Sequence, residues 1–271
     1  MKRHWDWVTG LLISSAVSVL IYFPLSRCWY FADDFYWVKY GIDTWNNLGS
    51  IFTHRFFNYY RPVVNLLFTV ESLWAQTDAL PRHILNLSLH LGSGIFLYVW
   101  LKQLLGSIMA ALTGSLLLLL GPIHMETVIW ISGRTDLSAA FWLLLCLVTL
   151  PRLTGATTTT TENKTGMLKM ISLGSLVLAV LSKETAVLIP VAILVNDWMR
   201  SAEGSQQFNC SKWMRQRVAW LTCSAVALIL HLFIQATGDV TFKTLSNADQ
   251  TLAFFSNLPG GVALTLSQFF P

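Results

Sequence analysis

The sequence predicts an all-α protein, a polytopic bundle of transmembrane helices. Three observations lead to this fold class. Of the 271 residues, 54% are hydrophobic and only 12% are charged, which is about half the charged fraction of an ordinary soluble domain. The apolar residues form long blocks without charge, and these blocks approach the roughly 20 residues that a helix needs to cross a bilayer. Short polar stretches separate the blocks, as loops separate spans.

The first apolar block follows the basic start Met1-Lys2-Arg3 and covers residues 8–24. A basic start before an apolar stretch also describes a secretory signal peptide. No small-x-small cleavage site follows, because the chain continues with Pro24-Leu25-Ser26-Arg27. We therefore predict an uncleaved first span.

The later blocks bring the total to about seven to eight spans. The predicted spans cover residues 8–24, 84–101, 104–120, 137–150, 168–181, 186–198, 218–236 and, for an eighth, 252–271. Several blocks are shorter than a full span, so we expect their ends to be polar or to lie in protein-lined cavities.

These blocks define one domain over residues 1–271. Residues 25–83 are predicted to form a long first extracytoplasmic loop with short helices, and residues 151–169 and 199–217 to form cytoplasmic loops. Because the chain stops inside the eighth block, at Pro271, we expect the domain to be truncated at its C-terminus.

The basic residues orient the spans. With the N-terminus in the cytoplasm, the cytoplasmic side holds Lys2, Arg3, Lys102, Arg152, Lys164, Lys169, Arg200, Lys212, Arg215 and Arg217. This arrangement follows the positive-inside rule. The net charge of +4 is spread over loops, which argues against a nucleic-acid partner. Most acidic residues fall on the other side, where an active site is one explanation for them.

The adjacent acids Asp33 and Asp34 follow the first span, among aromatic residues. A low-dielectric setting and like charge should raise the pKa of at least one of them. Such a pair suits a general base, or two oxygen ligands for a divalent cation. The alternative is a solvated turn in which an Asp caps a helix.

Two basic residues of the outer side are candidates for binding an anion. Arg61 precedes Pro62, which favours the first turn of a helix, and its side chain suits a phosphate or a carboxylate; alternatively, it snorkels at the membrane interface. Lys183 precedes Glu184 between the fifth and sixth spans. It is a plausible phosphate partner, or else half of a simple salt bridge with its neighbour.

His83, Asn86 and His90 are spaced three and four residues apart at the start of the second span. This spacing places them on one helical face, which should contact protein or a cavity rather than lipid. The alternative to a functional role is hydrogen bonding between helices.

The segment 121–136 joins the third and fourth spans and concentrates polar residues. His124 could donate a hydrogen bond to a phosphate or a sugar hydroxyl, and Glu126 could orient a base or a substrate hydroxyl. Arg134 and Asp136 are expected to pair and hold the loop. The alternative is a structural ion-pair network.

Taken together, these motifs resemble the GT-C superfamily of integral membrane glycosyltransferases. Within it, the chain is similar to the transmembrane O-mannosyltransferases that carry tetratricopeptide repeats in animals, and to their bacterial relatives. The matching segments are residues 32–34, 60–63, 83–90, 122–137 and 182–185. The resemblance covers about Asp33 to Asp197, and no tetratricopeptide repeat is present.

The resemblance implies transfer of a mannose-like sugar from a polyprenyl-phosphate donor to an acceptor hydroxyl, with inversion, at the extracytoplasmic face. Protein or glycan is the expected acceptor, and the bilayer supplies the donor. No cofactor is required, although a divalent cation (Mg or Mn) at Asp33 and Asp34 is compatible. The membrane is expected to be a bacterial inner membrane, or the endoplasmic reticulum in a eukaryote.

The implied site divides into three groups of residues. The catalytic group is Asp33, Asp34 and Glu126, and the sequence does not choose which Asp is the base. The donor phosphate would bind to Arg61, His124 and Lys183. The supporting residues are His83, Asn86, His90, Arg134, Asp136 and Glu184.

Two other classes of protein remain alternatives. One is a polytopic transporter or flippase for a lipid-linked or anionic substrate, which should carry essential charges at mid-membrane depth. Here nearly all charges lie at span ends on one face. The other is a non-catalytic scaffold of the same fold.

Overall fold

A computed structural model describes residues 5–24, 28–56, 59–150, 162–203 and 210–240, which are almost entirely helical. The α-helices are α1 (Trp5–Tyr22), α2 (Asp34–Thr44), α3 (Ser50–Thr53), α4 (Pro62–Ala75), α5 (Leu80–Leu105), α6 (Ile108–Leu120), α7 (Met125–Ile129), α8 (Arg134–Thr149), α9 (Glu162–Val180), α10 (Ile189–Glu203) and α11 (Cys210–Thr237). Three 3₁₀ turns cover Pro122–His124, Ile131–Gly133 and Glu184–Leu188. Two-residue strands, β1 (His54–Arg55) and β2 (Asp239–Val240), pair in parallel. The predicted all-α class is confirmed.

Three helical stretches in the described part are long and apolar enough to cross a membrane: Leu80–Leu105, Ile131–Thr149 and Trp213–Thr237. A fourth span arises if Ile108–Leu120 and Pro122–Ile129, which meet at a 44° bend, act together. The total of seven to eight spans stays a prediction. The predicted eighth block lies outside the described residues.

Local sequence explains the hairpin between α5 and α6. Gly106 adopts a left-handed conformation (φ 65°) at the end of α5, which glycine reaches at little steric cost. The next residue, Ser107, accepts a hydrogen bond from the backbone N–H of Ala110 and caps α6. The break therefore falls slightly later than the predicted boundary between residues 101 and 104.

Helix α5 lies at the centre and packs against α6 and α8, while α8 packs against α9 and α9 against α11. Small residues allow the close approach of α5 to α6. A Cβ on Gly94 would meet Leu119 Cδ2 at 2.5 Å, and Ser115 Oγ donates to the Gly94 carbonyl at 2.8 Å. Small residues and interhelical hydrogen bonds are typical of helix contacts in membranes.

The segment between α1 and α5 folds into a compact layer of helices with its own aromatic core. Trp37 of α2 stacks on Phe68 of α4 with ring centroids 5.2 Å apart. The two helices touch closely, since a Cβ on Gly41 would lie 2.5 Å from the Phe68 carbonyl oxygen. This packing gives α2 and α4 a defined orientation, and both carry candidate site residues.

Helices extend into both predicted cytoplasmic loops. Helix α9 begins at Glu162, α10 continues to Glu203 and α11 begins at Cys210. Arg217, which was expected in a loop, is almost fully buried and bonds Asp197 through Nε at 2.8 Å. Pairing with a carboxylate lets this guanidinium enter the packed interior.

Candidate active site

Asp34 is buried and ties α2 to the turn before α8. Its Oδ1 accepts hydrogen bonds from the Ser132 backbone N–H (2.7 Å) and hydroxyl (2.6 Å), and its Oδ2 accepts one from the Phe31 backbone N–H (3.1 Å). Burial raises the pKa of Asp34 to about 6, although the bonds from Ser132 and Phe31 oppose this shift. Both oxygens are occupied, so Asp34 anchors one segment to another.

Asp33 keeps one carboxylate oxygen without a partner. Its Oδ2 accepts a long hydrogen bond from Trp37 Nε1 (3.4 Å), whereas Oδ1 is buried and has no hydrogen-bond partner among the described residues. Asp33 does not cap α2 through its side chain, so the helix-cap alternative is wrong. The preceding Ala32 has φ 49°, a left-handed conformation that strains a residue with a Cβ and often marks functional sites.

Arg61 lies at the start of α4 and binds Glu184 through two hydrogen bonds. Nε donates to Oε2 at 3.1 Å and Nη2 donates to Oε1 at 2.7 Å, and the guanidinium lies 4.3 Å from the Tyr59 ring centroid. Burial alone would raise the pKa of Glu184, but hydrogen bonding and the charge of Arg61 outweigh it and hold that pKa below its ordinary value. Arg61 is only 9% exposed, so it does not snorkel into solvent.

Lys183 binds Asp136, in the first turn of α8, at 2.5 Å. The expected pair of Lys183 with Glu184 is therefore wrong, and so is the pair of Arg134 with Asp136. The backbone of Lys183 is extended (φ −156°, ψ 138°), which points successive side chains to opposite sides. Lys183 consequently reaches α8 while Glu184 reaches α4.

Arg134 belongs to a buried ion-pair cluster instead. Its Nη1 bonds Glu71 of α4 at 2.5 Å, and its Nε donates to Asn86 Oδ1 at 3.0 Å. Glu71 also pairs with Arg82 at 3.1 Å, and all three charged side chains are at most 1% exposed. The structural-network alternative is thus confirmed for Arg134, with partners that sequence spacing did not identify. A carboxylate inside the apolar helix α4 was the signal, because such a charge requires a partner.

The polar face of α5 bonds to backbone carbonyls of neighbouring segments. His83 Nε2 lies 3.1 Å from the Cys28 carbonyl, Asn86 Nδ2 donates to the Trp130 carbonyl at 3.0 Å, and His90 Nε2 lies 3.3 Å from the Leu119 carbonyl. The expectation that this face meets protein is confirmed. These contacts favour the interhelical hydrogen-bonding alternative.

His124 and Glu126 lie on the bent segment after α6. The His124 ring is 6.1 Å from the His90 ring, and His124 is half-buried. Glu126 is exposed, and its carboxylate makes no hydrogen bond or ion pair with any described residue. The structure therefore leaves Glu126 available to a ligand without bringing it into contact with Asp33.

His231 of α11 lies beside Tyr60, Arg61 and Glu184 and is not among the candidates that the sequence motifs indicate. Its ring lies 5.8 Å from the Tyr60 ring, and it is close enough to Glu184 and Arg61 to interact with both charges. One helical turn further on, Gln235 Oε1 accepts the Tyr60 backbone N–H at 2.9 Å. A histidine inside an apolar span is a sequence signal for such a position.

The segment from the 3₁₀ turn Ile131–Gly133 into the first turn of α8 connects the motifs. Ser132 holds Asp34, Arg134 holds Glu71 of α4, and Asp136 holds Lys183. Glu184, the neighbour of Lys183, in turn binds Arg61. Arg134 also donates to Asn86 of α5, so side-chain contacts around this one short segment link all five sequence motifs.

A divalent cation at the acidic pair would compete with existing bonds. Among the residues that the structure describes, no group of three or more His, Cys, Asp or Glu side chains converges in a metal-like arrangement. Both oxygens of Asp34 accept protein hydrogen bonds. A cation bound there would have to share these oxygens with Ser132 or Phe31, or depend mainly on Asp33.

One curated protein provides a comparison in sequence. Protein O-mannosyl-transferase tmtc2 of Xenopus laevis is 31% identical to this chain over 150 residues. This chain resembles a membrane glycosyltransferase. The matched region is 51% of this chain but only 18% of the length of that relative. No protein-family model matches the sequence, and no solved structure matches it.

Proposed function

We propose that this chain is the membrane glycosyltransferase domain, or part of it, that transfers a mannose-like sugar from a polyprenyl-phosphate donor to an acceptor hydroxyl. The observation that carries the proposal is the unpaired, buried Oδ1 of Asp33. Asp33 directly precedes Asp34, which binds Ser132. In the same segment as Ser132, Asp136 binds Lys183. The similarity to an O-mannosyltransferase supports the same class.

The reaction is a single displacement at the anomeric carbon. Asp33 accepts the proton of the acceptor hydroxyl as general base while the hydroxyl oxygen attacks that carbon. The bond from the anomeric carbon to the phosphate oxygen breaks, and its electron pair stays on the phosphate. The products are an inverted glycoside and a polyprenyl phosphate, and the proton on Asp33 is then released to water.

The two acids take different roles in this scheme. Asp34 is a positioning residue, because its Oδ1 accepts two hydrogen bonds from Ser132 and its Oδ2 accepts one from the Phe31 backbone N–H. Asp33 is the base, because a buried carboxylate oxygen without a partner is available to accept a proton from substrate. Glu126, exposed and unpaired, would orient the acceptor.

The leaving group is a phosphate, which needs nearby positive charge more than it needs a strong acid. Arg61 and Lys183 supply that charge, and His124 could donate a hydrogen bond to the phosphate. Arg61 has the planar geometry that binds two phosphate oxygens at once. This scheme requires no metal ion. The buried ion pairs of Glu71 with Arg82 and Arg134 connect α4, α5 and α8, the helices next to the proposed site.

The donor, acceptor and location follow from the resemblance and the spans. The similarity to a protein O-mannosyl-transferase supports mannose as the sugar and protein as the acceptor. The bilayer would present the polyprenyl chain of the donor at the ends of the spans. We place the reaction at the extracytoplasmic face, with the N-terminus in the cytoplasm.

The test is a transfer assay in membranes with a labelled polyprenyl-phosphate mannose and a hydroxyl acceptor. Asp33→Asn should lower the transfer rate by about 10²- to 10⁴-fold, the usual contribution of a general base. Asp43→Asn is the matched control, since Asp43 belongs to α2, the helix that Asp33 precedes, and pairs with Lys39 at the surface. Unchanged transfer in Asp33→Asn would refute the catalytic assignment. Movement of labelled lipid without any glycoside product would favour a transporter instead.

A further inference from the structure

Both cations assigned to the donor phosphate already bind carboxylates in this structure. Arg61 holds Glu184 through two parallel hydrogen bonds of 3.1 and 2.7 Å, and Lys183 holds Asp136 at 2.5 Å. A carboxylate that binds a guanidinium in this way occupies the positions that two phosphate oxygens would take. A phosphate group and these carboxylates cannot bind the same donor atoms together.

The acids, not the bases, are the exposed partners in these two pairs. The Glu184 side chain is 38% exposed while that of Arg61 is 11% exposed, and the values for Asp136 and Lys183 are 51% and 22%. Each carboxylate can therefore turn into water while its cation stays in place. The other acids paired in the interior differ, because Glu71 and Asp197 are only 1% and 2% exposed.

The segment that carries Lys183 and Glu184 is itself fixed. The Leu181 carbonyl accepts the Val63 backbone N–H at 3.3 Å, which joins the end of α9 to the first turn of α4. Ser182 Oγ lies 2.9 Å from Ser138 Oγ of α8. A fixed backbone holds Lys183 near α8 and leaves side-chain rotation as the motion by which the carboxylates exchange.

We propose that Glu184 and Asp136 are exchangeable counter-ions, which neutralise Arg61 and Lys183 in the empty site, give way to the donor phosphate, and return to expel the product. This inference rests on the proposed function. The donor is a phosphodiester with one negative charge, whereas the product is a phosphate monoester with a charge of about −1.5 to −2. Two bare cations would retain the product more strongly than the donor. Returning carboxylates compete with it and speed its release.

The test compares the binding of a polyprenyl phosphate to the full chain in lipid nanodiscs. Glu184→Gln and Asp136→Asn should each tighten its Kd by about two- to fivefold, the value of a partly exposed ion pair. Asp43→Asn breaks a surface pair of the same kind at Lys39 and should leave the Kd unchanged. Glu184→Asp retains a competing carboxylate and should remain near the native Kd.

The kinetics of transfer provide a readout that a merely structural role would not change. Glu184→Gln should lower both KM for the donor and kcat, because product release slows, and product inhibition should become stronger. Weaker binding in Glu184→Gln, or binding equal to the native chain, would overturn the inference and make Glu184 a residue that orients Arg61. If the native chain binds no polyprenyl phosphate, the proposed function itself fails, and this inference fails with it.

Discussion

Glu71 compensates two buried guanidiniums, and its replacement tests whether this cluster maintains the fold. In Glu71→Gln, the amide keeps the size of the side chain but loses its charge. Arg82 and Arg134 then remain buried, each fully inaccessible to solvent, with no carboxylate within bonding distance at this position. Their other hydrogen bonds, to Gln76, Tyr30, Asn86 and the Arg82 carbonyl, do not supply negative charge.

The expected cost follows from this burial. Removing one partner of a buried ion pair destabilises a protein by about 3–5 kcal/mol, because the remaining charge stays without compensation. This corresponds to a change of about two to four powers of ten in the ratio of folded to unfolded chains. Breaking the exposed pair of Lys39 and Asp43 should cost about 0–1 kcal/mol, so Asp43→Asn serves as the matched control.

The assay uses a natural reporter of unfolding. Cys146 is fully buried in α8, whereas Cys28 and Cys210 are exposed and Cys223 is partly exposed. With the last three replaced by Ser, maleimide labelling during a denaturant titration in detergent reports unfolding around Cys146. A free energy of unfolding for Glu71→Gln within about 1 kcal/mol of the parent would refute the reasoning, since it would show that water or a counter-ion already compensates the arginines.

Three further predictions follow from the same contacts. Burial raises the pKa of Asp34 from 3.8 to about 6, so the stability that protonated Asp34 contributes is fully present below about pH 4 and is lost as the pH rises through about 6. Denaturant titrations at several pH values should show this fall in the free energy of unfolding. Asp34→Asn should remove the pH dependence. Gly133→Ala would place a Cβ 2.4 Å from the Thr127 carbonyl oxygen, whereas a Cβ on Gly174 would meet no atom within 4 Å. Gly133→Ala should therefore lower the free energy of unfolding by about 1–3 kcal/mol in the same denaturant titration. The control Gly174→Ala should not lower it. Transfer should persist in excess EDTA, because basic side chains compensate the phosphate charge. A loss of transfer that Mg or Mn restores would show instead that the reaction needs a divalent cation.

The helical architecture was accessible from the sequence because it depends on local properties. Charge-free blocks form helices in which each backbone N–H and C=O is paired internally, the arrangement that a bilayer demands. The residues that end one helix and begin the next also act locally, as Gly106 and Ser107 do between α5 and α6. The face of His83, Asn86 and His90 could be predicted from spacing alone.

The pairing of charges was not accessible in the same way. Neighbours in sequence suggested bonds from Arg134 to Asp136 and from Lys183 to Glu184. The structure instead joins Arg134 to Glu71 and Lys183 to Asp136. The extended backbone at Lys183 points the side chains of Lys183 and Glu184 in opposite directions. Buried Arg134 pairs with Glu71 because the packing of α4 against α8 places the two side chains in contact.

The sequence by itself determined that this is an all-α membrane protein and that its polar motifs are candidates for one site. Only the tertiary structure distinguished Asp33 from Asp34. The two residues have the same chemistry and adjacent positions, and they differ because Ser132, 98 residues away, saturates one oxygen of Asp34 and contributes to its burial. No local sequence pattern encodes burial and hydrogen bonding by distant segments. These contacts leave Asp33 as the carboxylate whose Oδ1 has no hydrogen-bond partner.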